Sequence, residues 1–276
     1  MVNAAGCFSF CSQQCFFIVC KNVYPGSFDG LLYSRAESST IEIEVDDLKE
    51  ENITKIEKDT ADWQYMDQLP AEWFGFNYRK DMCVKDDIYK LYSYINPTAH
   101  RSLTAYFHEE THEYKLRVRI GLTEFCRIEF IAPDLQAFEK LLKEQLEAVL
   151  HDLSSFNPAT INRIVRDKHI LEWDYAKLLP ESLEGFQLFI RPSQPVRVLN
   201  GSYIVFDYSD FSAASNFIIY YNMFRDEFFG EARINNIPDV NYTFDATELP
   251  ELEEKLDANL QQRLQGIRIQ LAAQLS

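Results

Sequence analysis

The sequence predicts an α+β fold made of two tandem units, each a roughly four-stranded antiparallel sheet followed by one long amphipathic helix packed on it. Three observations lead to this fold class. The chain is similar to itself at a constant offset of 114 residues, with 14 identities over the 67 positions from 87 to 153. Each of the two similar regions holds four stretches typical of strands. Each region then changes to a helical period.

The strand patterns of the first unit have counterparts in the second unit, in the same order. They lie at 87–95, 102–107, 114–121 and 126–132, and then at 201–209, 216–221, 227–235 and 240–246. In the third of these stretches, Tyr114, Leu116, Val118 and Ile120 alternate with Lys and Arg. This alternation indicates an antiparallel strand with one face toward the core.

Apolar residues recur at helical spacing after the fourth strand pattern of each unit. The two sets are Leu135, Phe138, Leu142, Leu146, Val149, Leu150 and Leu153, and Leu249, Leu252, Leu256, Leu260, Leu264 and Ile267. Each set predicts one helix of about five turns. The predicted organisation is a first unit at 69–155, a linker with a short helix at 156–182, and a second unit at 183–276. Separate lobes and one continuous sheet both remain open.

Residues 1–68 are predicted to be a cysteine-rich, acidic appendage with little order of its own. Four of the six cysteines lie in its first part, at Cys7, Cys11, Cys15 and Cys20. Their spacing leaves a metal or cluster site open. The abrupt change in composition near Leu48 leaves a second alternative, a wrongly assigned start codon. No Lys or Arg precedes Lys21, so the start does not have the pattern of a secretory signal.

The remaining cysteines and the charge bear on the class of protein. Cys83 and Cys126 are isolated, which favours a reduced, cytoplasmic protein over a disulfide scaffold. The formal net charge is −16. Such a surface repels phosphates, so no nucleic acid is expected as a partner. No apolar stretch predicts a membrane segment. A basic protein is the partner that this charge would attract.

The stretch HEETH, from His108 to His112, fits the pattern H-E-x-x-H. On a helix, that pattern places two imidazoles on one face to hold zinc, with the glutamate as general base. His108 and His112 would then be metal ligands and Glu109 the catalytic residue. Here the stretch lies between two strand patterns, so we expect a solvated hairpin tip instead.

Two arginines and several aromatic residues are candidates for a partner-binding face. Arg119 and Arg233 fall at equivalent positions of the offset alignment, on the polar side of their strand patterns. The same alignment pairs Glu113 with Glu227, so the repeated Glu and Arg predict a cross-strand or strand-to-loop ion pair in each unit. Tyr-rich open sheet faces are frequent protein-binding surfaces. The aromatic candidates in the second unit are Tyr203, Tyr208 and Phe211.

The sequence thus favours a non-enzymatic, acidic, cytoplasmic protein-binding module, similar in role to an inhibitor, an immunity protein or a chaperone. No cofactor is expected, because no Gly-rich phosphate loop and no nucleophile elbow is present. Two alternatives stay open. The first is a zinc-dependent hydrolase that uses the HEETH stretch, and the second is a small-ligand carrier with the helix closed over a curved sheet.

Overall fold

A computed structural model describes residues 48–274 of the chain. The four cysteines of the start, and the metal-site alternative for them, lie outside the described residues. The first part of the described chain forms helix α1 (Glu50–Thr60) and a 3-10 turn at Met66–Gln68. It continues through a six-stranded antiparallel sheet in the order β1-β2-β3-β4-β5-β6. The strands are β1 (Glu72–Trp73), β2 (Phe76–Lys85), β3 (Ile88–Asn96), β4 (Arg101–His108), β5 (Glu113–Ile120) and β6 (Thr123–Ala132).

Helix α2 (Leu135–Ser154) follows the first sheet and leads to the second half of the molecule. Asp134 begins this helix as its N-cap, because its carboxylate accepts the Ala137 N–H at 2.8 Å. A 3-10 turn at Pro158–Thr160 and helix α3 (Arg163–Asp167) come next.

The second sheet is antiparallel and has seven strands in the order β13-β12-β11-β10-β8-β7, with β9 also paired to β10. These strands are β7 (Ser182–Leu183), β8 (Phe186–Ile190), β9 (Val196–Arg197), β10 (Ser202–Asp210), β11 (Ser215–Asn222), β12 (Glu227–Ile234) and β13 (Ile237–Ala246). Helix α4 (Leu249–Gln274) ends the described chain.

The prediction of two four-stranded units was wrong, because the sheets have six and seven strands. The extra strands pair with the outer side of β3 and of β10, before the region where the 114-residue offset holds. Strand β2 gives no clean alternation, since its register shifts between Lys80 and Cys83 and Met82 has a positive φ of 43°. Strands β7 to β9 are too short to show a period.

Two hydrophobic cores hold the sheets, and the second sheet contributes to both. One of its faces packs with α4, through side chains such as Phe206, Phe217 and Leu260. Residues of its other face, including Ile204, Ile218 and Phe229, belong to the core of the first sheet and α2. The second sheet is therefore an inner layer with both faces buried, and the two halves are neither one continuous sheet nor independent lobes.

Two segments that were predicted to lie outside the units are packed into these cores. Residues 48–68 fall in the predicted appendage, yet Ile56 of α1 and Trp63 are buried in the first core. Residues 156–182 were predicted to be a linker, yet Val165 and Trp173 are buried in the second core. Amphipathic segments of this length gain order from the sheet face that they cover, which local sequence does not reveal.

Candidate functional site

The HEETH stretch lies in a β-hairpin and not in a helix. Strand β4 ends at His108, β5 begins at Glu113, and residues 109–112 form the turn between them. His108 is buried, and its Nε2 lies 2.9 Å from Asp87 Oδ2. Its Nδ1 lies 3.2 Å from Thr111 Oγ1. Both ring nitrogens are thus engaged by side chains of the protein, and the zinc-ligand geometry of the helical pattern is not formed.

Burial lowers the pKa of His108, and the nearby Lys115 ammonium lowers it further. Asp87 opposes this effect without reversing it. The hydrogen bonds fit a neutral imidazole that donates from Nε2 to Asp87 and accepts at Nδ1 from Thr111. His108 therefore acts as a buried polar support of the turn.

Glu109, the residue in the position of a general base, holds the beginning of α1. Its two carboxylate oxygens accept from Asn52 Nδ2 at 2.9 and 2.8 Å. One of them also accepts the backbone N–H of Lys49 at 3.3 Å. A carboxylate at a helix N-terminus satisfies free N–H groups and interacts well with the helix dipole. His112 occupies the exposed end of the turn, with a positive φ of 52°.

Most of the predicted partner-binding face is not surface. Tyr203, Tyr208 and Arg233 are buried. Tyr208 lies in the core with α4, and its hydroxyl donates to the carbonyl of Pro180 at 2.6 Å. These three residues therefore have structural roles in the described molecule. Only Phe211, which is half-buried, and Arg119, whose side chain is 48% exposed, could meet a partner.

Arg119 and Phe211 are connected through Gly121 and His100 where the turn of the β5–β6 hairpin meets the second sheet. Arg119 Nε donates to the carbonyl of Gly121 at 3.0 Å. The Gly121 N–H donates to the carbonyl of His100 at 2.8 Å. The His100 ring stacks on Phe211 with centroids 3.8 Å apart, and Phe189 packs edge-on against both rings.

The same contact continues inward, and we call it the inter-sheet joint: Gly121 and Leu122 of the first sheet against Phe189, Asp207 and Arg233 of the second. Arg233 Nη1 donates to the carbonyl of Leu122 at 2.8 Å. Gly121 has a φ of +61°, and a Cβ atom there would lie 2.7 Å from the Phe189 ring. The turn approaches the second sheet this closely because residue 121 has no side chain.

An open groove of about 870 Å³ lies between the end of α1 and the first half of α2. Trp63, Leu135 and Gln136 line it together with four carboxylates and two ammonium groups, those of Asp59, Asp134, Glu139, Glu144, Lys140 and Lys143. Trp63 Nε1 donates to Glu139 at 2.6 Å, and Lys143 pairs with the same carboxylate at 2.5 Å. The bond from Lys143 and the one from Trp63 lower the pKa of Glu139.

Sequence reasoning missed this groove, because its walls come from segments about 75 residues apart. The one available signal was the pairing of Glu139 with Glu253 in the offset alignment. Trp173 donates to Glu253 at 2.5 Å, as Trp63 does to Glu139. The predicted pair between Glu113 and Arg119 does not form. Glu113 contacts Lys115, and Arg119 contacts Glu124.

No group of three or more His, Cys, Asp or Glu side chains within residues 48–274 is arranged to hold a metal ion. Over the same range, no helix combines the length and the hydrophobicity needed to cross a membrane. Comparison of the chain with protein-family models, with curated proteins and with solved structures finds no match.

Proposed function

We propose that this chain is a non-enzymatic, cytoplasmic protein-binding module whose partner is a basic protein. The observation that carries the proposal is the negative charge that the folded region presents. Residues 1–47 account for 2 of the 27 Lys and Arg and 6 of the 43 Asp and Glu, and residues 275–276 for none. Residues 48–274 therefore hold 25 basic and 37 acidic residues.

The basic residues of this region are largely neutralised within the chain. Sixteen of the 25 form ion pairs with carboxylates of described residues. The surplus carboxylates determine the field that an approaching molecule meets. Such a field speeds the encounter with a basic protein and disfavours an acidic one or a nucleic acid.

The groove beside Trp63 is the concave part of this acidic surface where a basic segment would dock. Asp59 and Glu144 are exposed there, and Glu139 is half-buried. Its two lysines are already paired, Lys143 with Glu139 and Lys140 with Glu144. A Lys or Arg side chain of the partner would meet carboxylates beside the apolar surface of Leu135, a mixed lining that suits a long amphipathic side chain.

Binding of synthetic peptides tests the proposal. A panel of Lys- and Arg-rich peptides with different sequences is titrated at about 0.15 M salt, where long-range surface attraction is screened. We expect at least one peptide to bind with a micromolar Kd, and the double variant Asp59→Lys/Glu144→Lys to weaken it about tenfold. Glu254→Lys/Asp257→Lys makes the same charge change on exposed positions of α4 and should alter binding less than about threefold.

A contrary result would be a peptide affinity that depends only on the charge of the peptide and falls equally in both double variants. The chain would then be an unspecific polyanion, and the proposed function would be wrong.

A further inference from the structure

The inter-sheet joint contains a buried carboxyl that has no cation of its own. Asp207 lies on β10, is fully buried, and faces the turn at Gly121. Its carboxyl accepts from Ser209 Oγ at 2.9 Å, and Asn216 Nδ2 lies 3.5 Å away. No ion pair of Asp207 occurs within residues 48–274, so its charge has only neutral hydrogen-bond donors as direct partners.

The guanidinium nearby is already occupied. Arg233 contacts Glu231 through Nε and through Nη2, both at 3.2 Å, and donates from Nη1 to the carbonyl of Leu122. Glu231 is itself buried. The joint thus holds two carboxyls and one guanidinium away from water. With both carboxyls ionised it has one surplus negative charge, which is costly in such an environment. One proton removes that surplus.

Burial raises the pKa of Asp207 to about 7. Hydrogen bonds from Ser209 and Asn216 and the charge of Arg233 lower this pKa, and they offset the effect of burial only in part. Burial raises the pKa of Glu231 as well, but the contact with Arg233 lowers it, so the proton belongs on Asp207. Strand β11 presents Asn216 and Tyr220, whose pKa burial also raises, and β12 presents Glu231 and Arg233. Strand β8 contributes Ile190, and the turn contributes Gly121, neither of which is charged.

We propose that the inter-sheet joint is a proton-operated latch, closed when the Asp207 carboxyl is protonated and loosened when its ionisation puts an unpaired negative charge against the 121–122 turn. The latch acts on the contact between the two sheets and is independent of the acidic groove. Opening of the joint exposes the carboxyl to water, where an aspartate has a pKa of about 4. The closed joint therefore binds the proton more tightly, and opening becomes easier as the pH rises from about 4 to about 7.

Hydrogen exchange of the full chain, followed by mass spectrometry at several pH values and corrected for intrinsic exchange, measures this opening. Peptides that cover 119–124 should lose protection by at least tenfold, and at most by about a thousandfold, between pH 4.5 and 7.5, relative to peptides from β3. Asp207→Asn should abolish this trend. Asp210→Asn makes the same change on the same strand, but Asp210 pairs with Arg268 and not with the joint, so this variant should keep the trend. An unchanged trend in Asp207→Asn would refute the latch.

A measurement on the unaltered chain guards against a variant that fails to fold. In protein labelled with carbon-13 at the aspartate carboxyls, one resonance should titrate near pH 7. If every aspartate resonance has completed its titration by about pH 5, the Asp207 carboxyl holds no proton at neutral pH and the latch does not exist.

Discussion

Arg119 and Arg233 occupy the same position in two strands that begin 114 residues apart, β5 and β12. The Arg119 side chain is 48% exposed and lies 3.6 Å from Glu124, whereas that of Arg233 is 2% exposed and bridges Glu231 and the carbonyl of Leu122. The local sequence pattern is alike in both places. The difference arises because the turn at 121–122 covers the second sheet at Arg233.

The largest expected effect follows from removing the two arginines separately. Arg233→Ala leaves the Glu231 carboxylate buried without its cation and should cost about 3–5 kcal/mol of unfolding free energy. Arg119→Ala removes an exposed pair and should cost less than about 1 kcal/mol. Urea unfolding at constant pH measures both free energies.

A double variant tests the physical reason for this difference. Glu231→Gln/Arg233→Ala removes the stranded charge, so it should be more stable than Arg233→Ala alone. Equal losses of unfolding free energy in the two single variants would show that the two arginines have similar environments in solution.

The contrast between the arginines also shows how far the sequence can be used to predict this molecule. Helix α2 coincides with its stretch of helical apolar spacing, and α4 begins where its stretch begins but continues beyond Ile267 to Gln274. The alternation in 114–120 gives the inner face of β5 correctly. The hydrophobic period of the sequence predicts which side chains share a face of a sheet. It does not predict whether a distant segment covers that face. Tyr203 and Tyr208 were therefore candidates for a partner-binding face, although both are buried in the core that contains α4 and the 161–179 segment.

The candidate site was predictable only in part, for the same reason. Charge composition alone leads to the proposal of a basic partner, since counting residues requires no fold. The groove depends on Trp63 reaching Glu139, and the joint on Arg233 reaching Leu122. These contacts join residues 76 and 111 positions apart. Nothing in the local sequence around either partner identifies the other.

Substitution of Gly121 should have an intermediate effect on stability. It distinguishes close packing at the inter-sheet joint from backbone strain alone. Gly121→Ala places a side chain in the left-handed region and a methyl group against Phe189, so we expect a loss of about 2–4 kcal/mol. Gly75→Ala is the matched control. Its φ of +78° brings the same kind of strain, but the nearest atom to its Cβ would be 3.5 Å away. It should cost about 1–2 kcal/mol.

Thermal and urea unfolding compare the two glycine variants, and Phe189→Leu added to Gly121→Ala should recover part of the loss by making room for the methyl group. Similar costs for Gly121→Ala and Gly75→Ala would mean that the turn does not press on the second sheet.

The hairpin tips that follow β4 and β11 can be compared in the same way, and here we expect the smallest effect on stability. In the first, Glu109 binds the beginning of α1. In the second, Asp226 forms an ion pair with Lys168, which lies just after α3. Lys168 Nζ is 2.9 Å from Asp226 Oδ1. Each tip therefore fastens a preceding helix with a carboxylate, through the N-terminal end in one case and a lysine side chain in the other.

Glu109→Ala should release the start of α1 and cost about 1–2 kcal/mol, because Asn52 and the Lys49 N–H lose their acceptor. Hydrogen exchange should accelerate in residues 50–54, while β4 and β5 keep their protection. Glu110→Ala, at the exposed neighbouring position, should leave both stability and exchange nearly unchanged. Equal exchange in the two variants would mean that Glu109 does not hold α1.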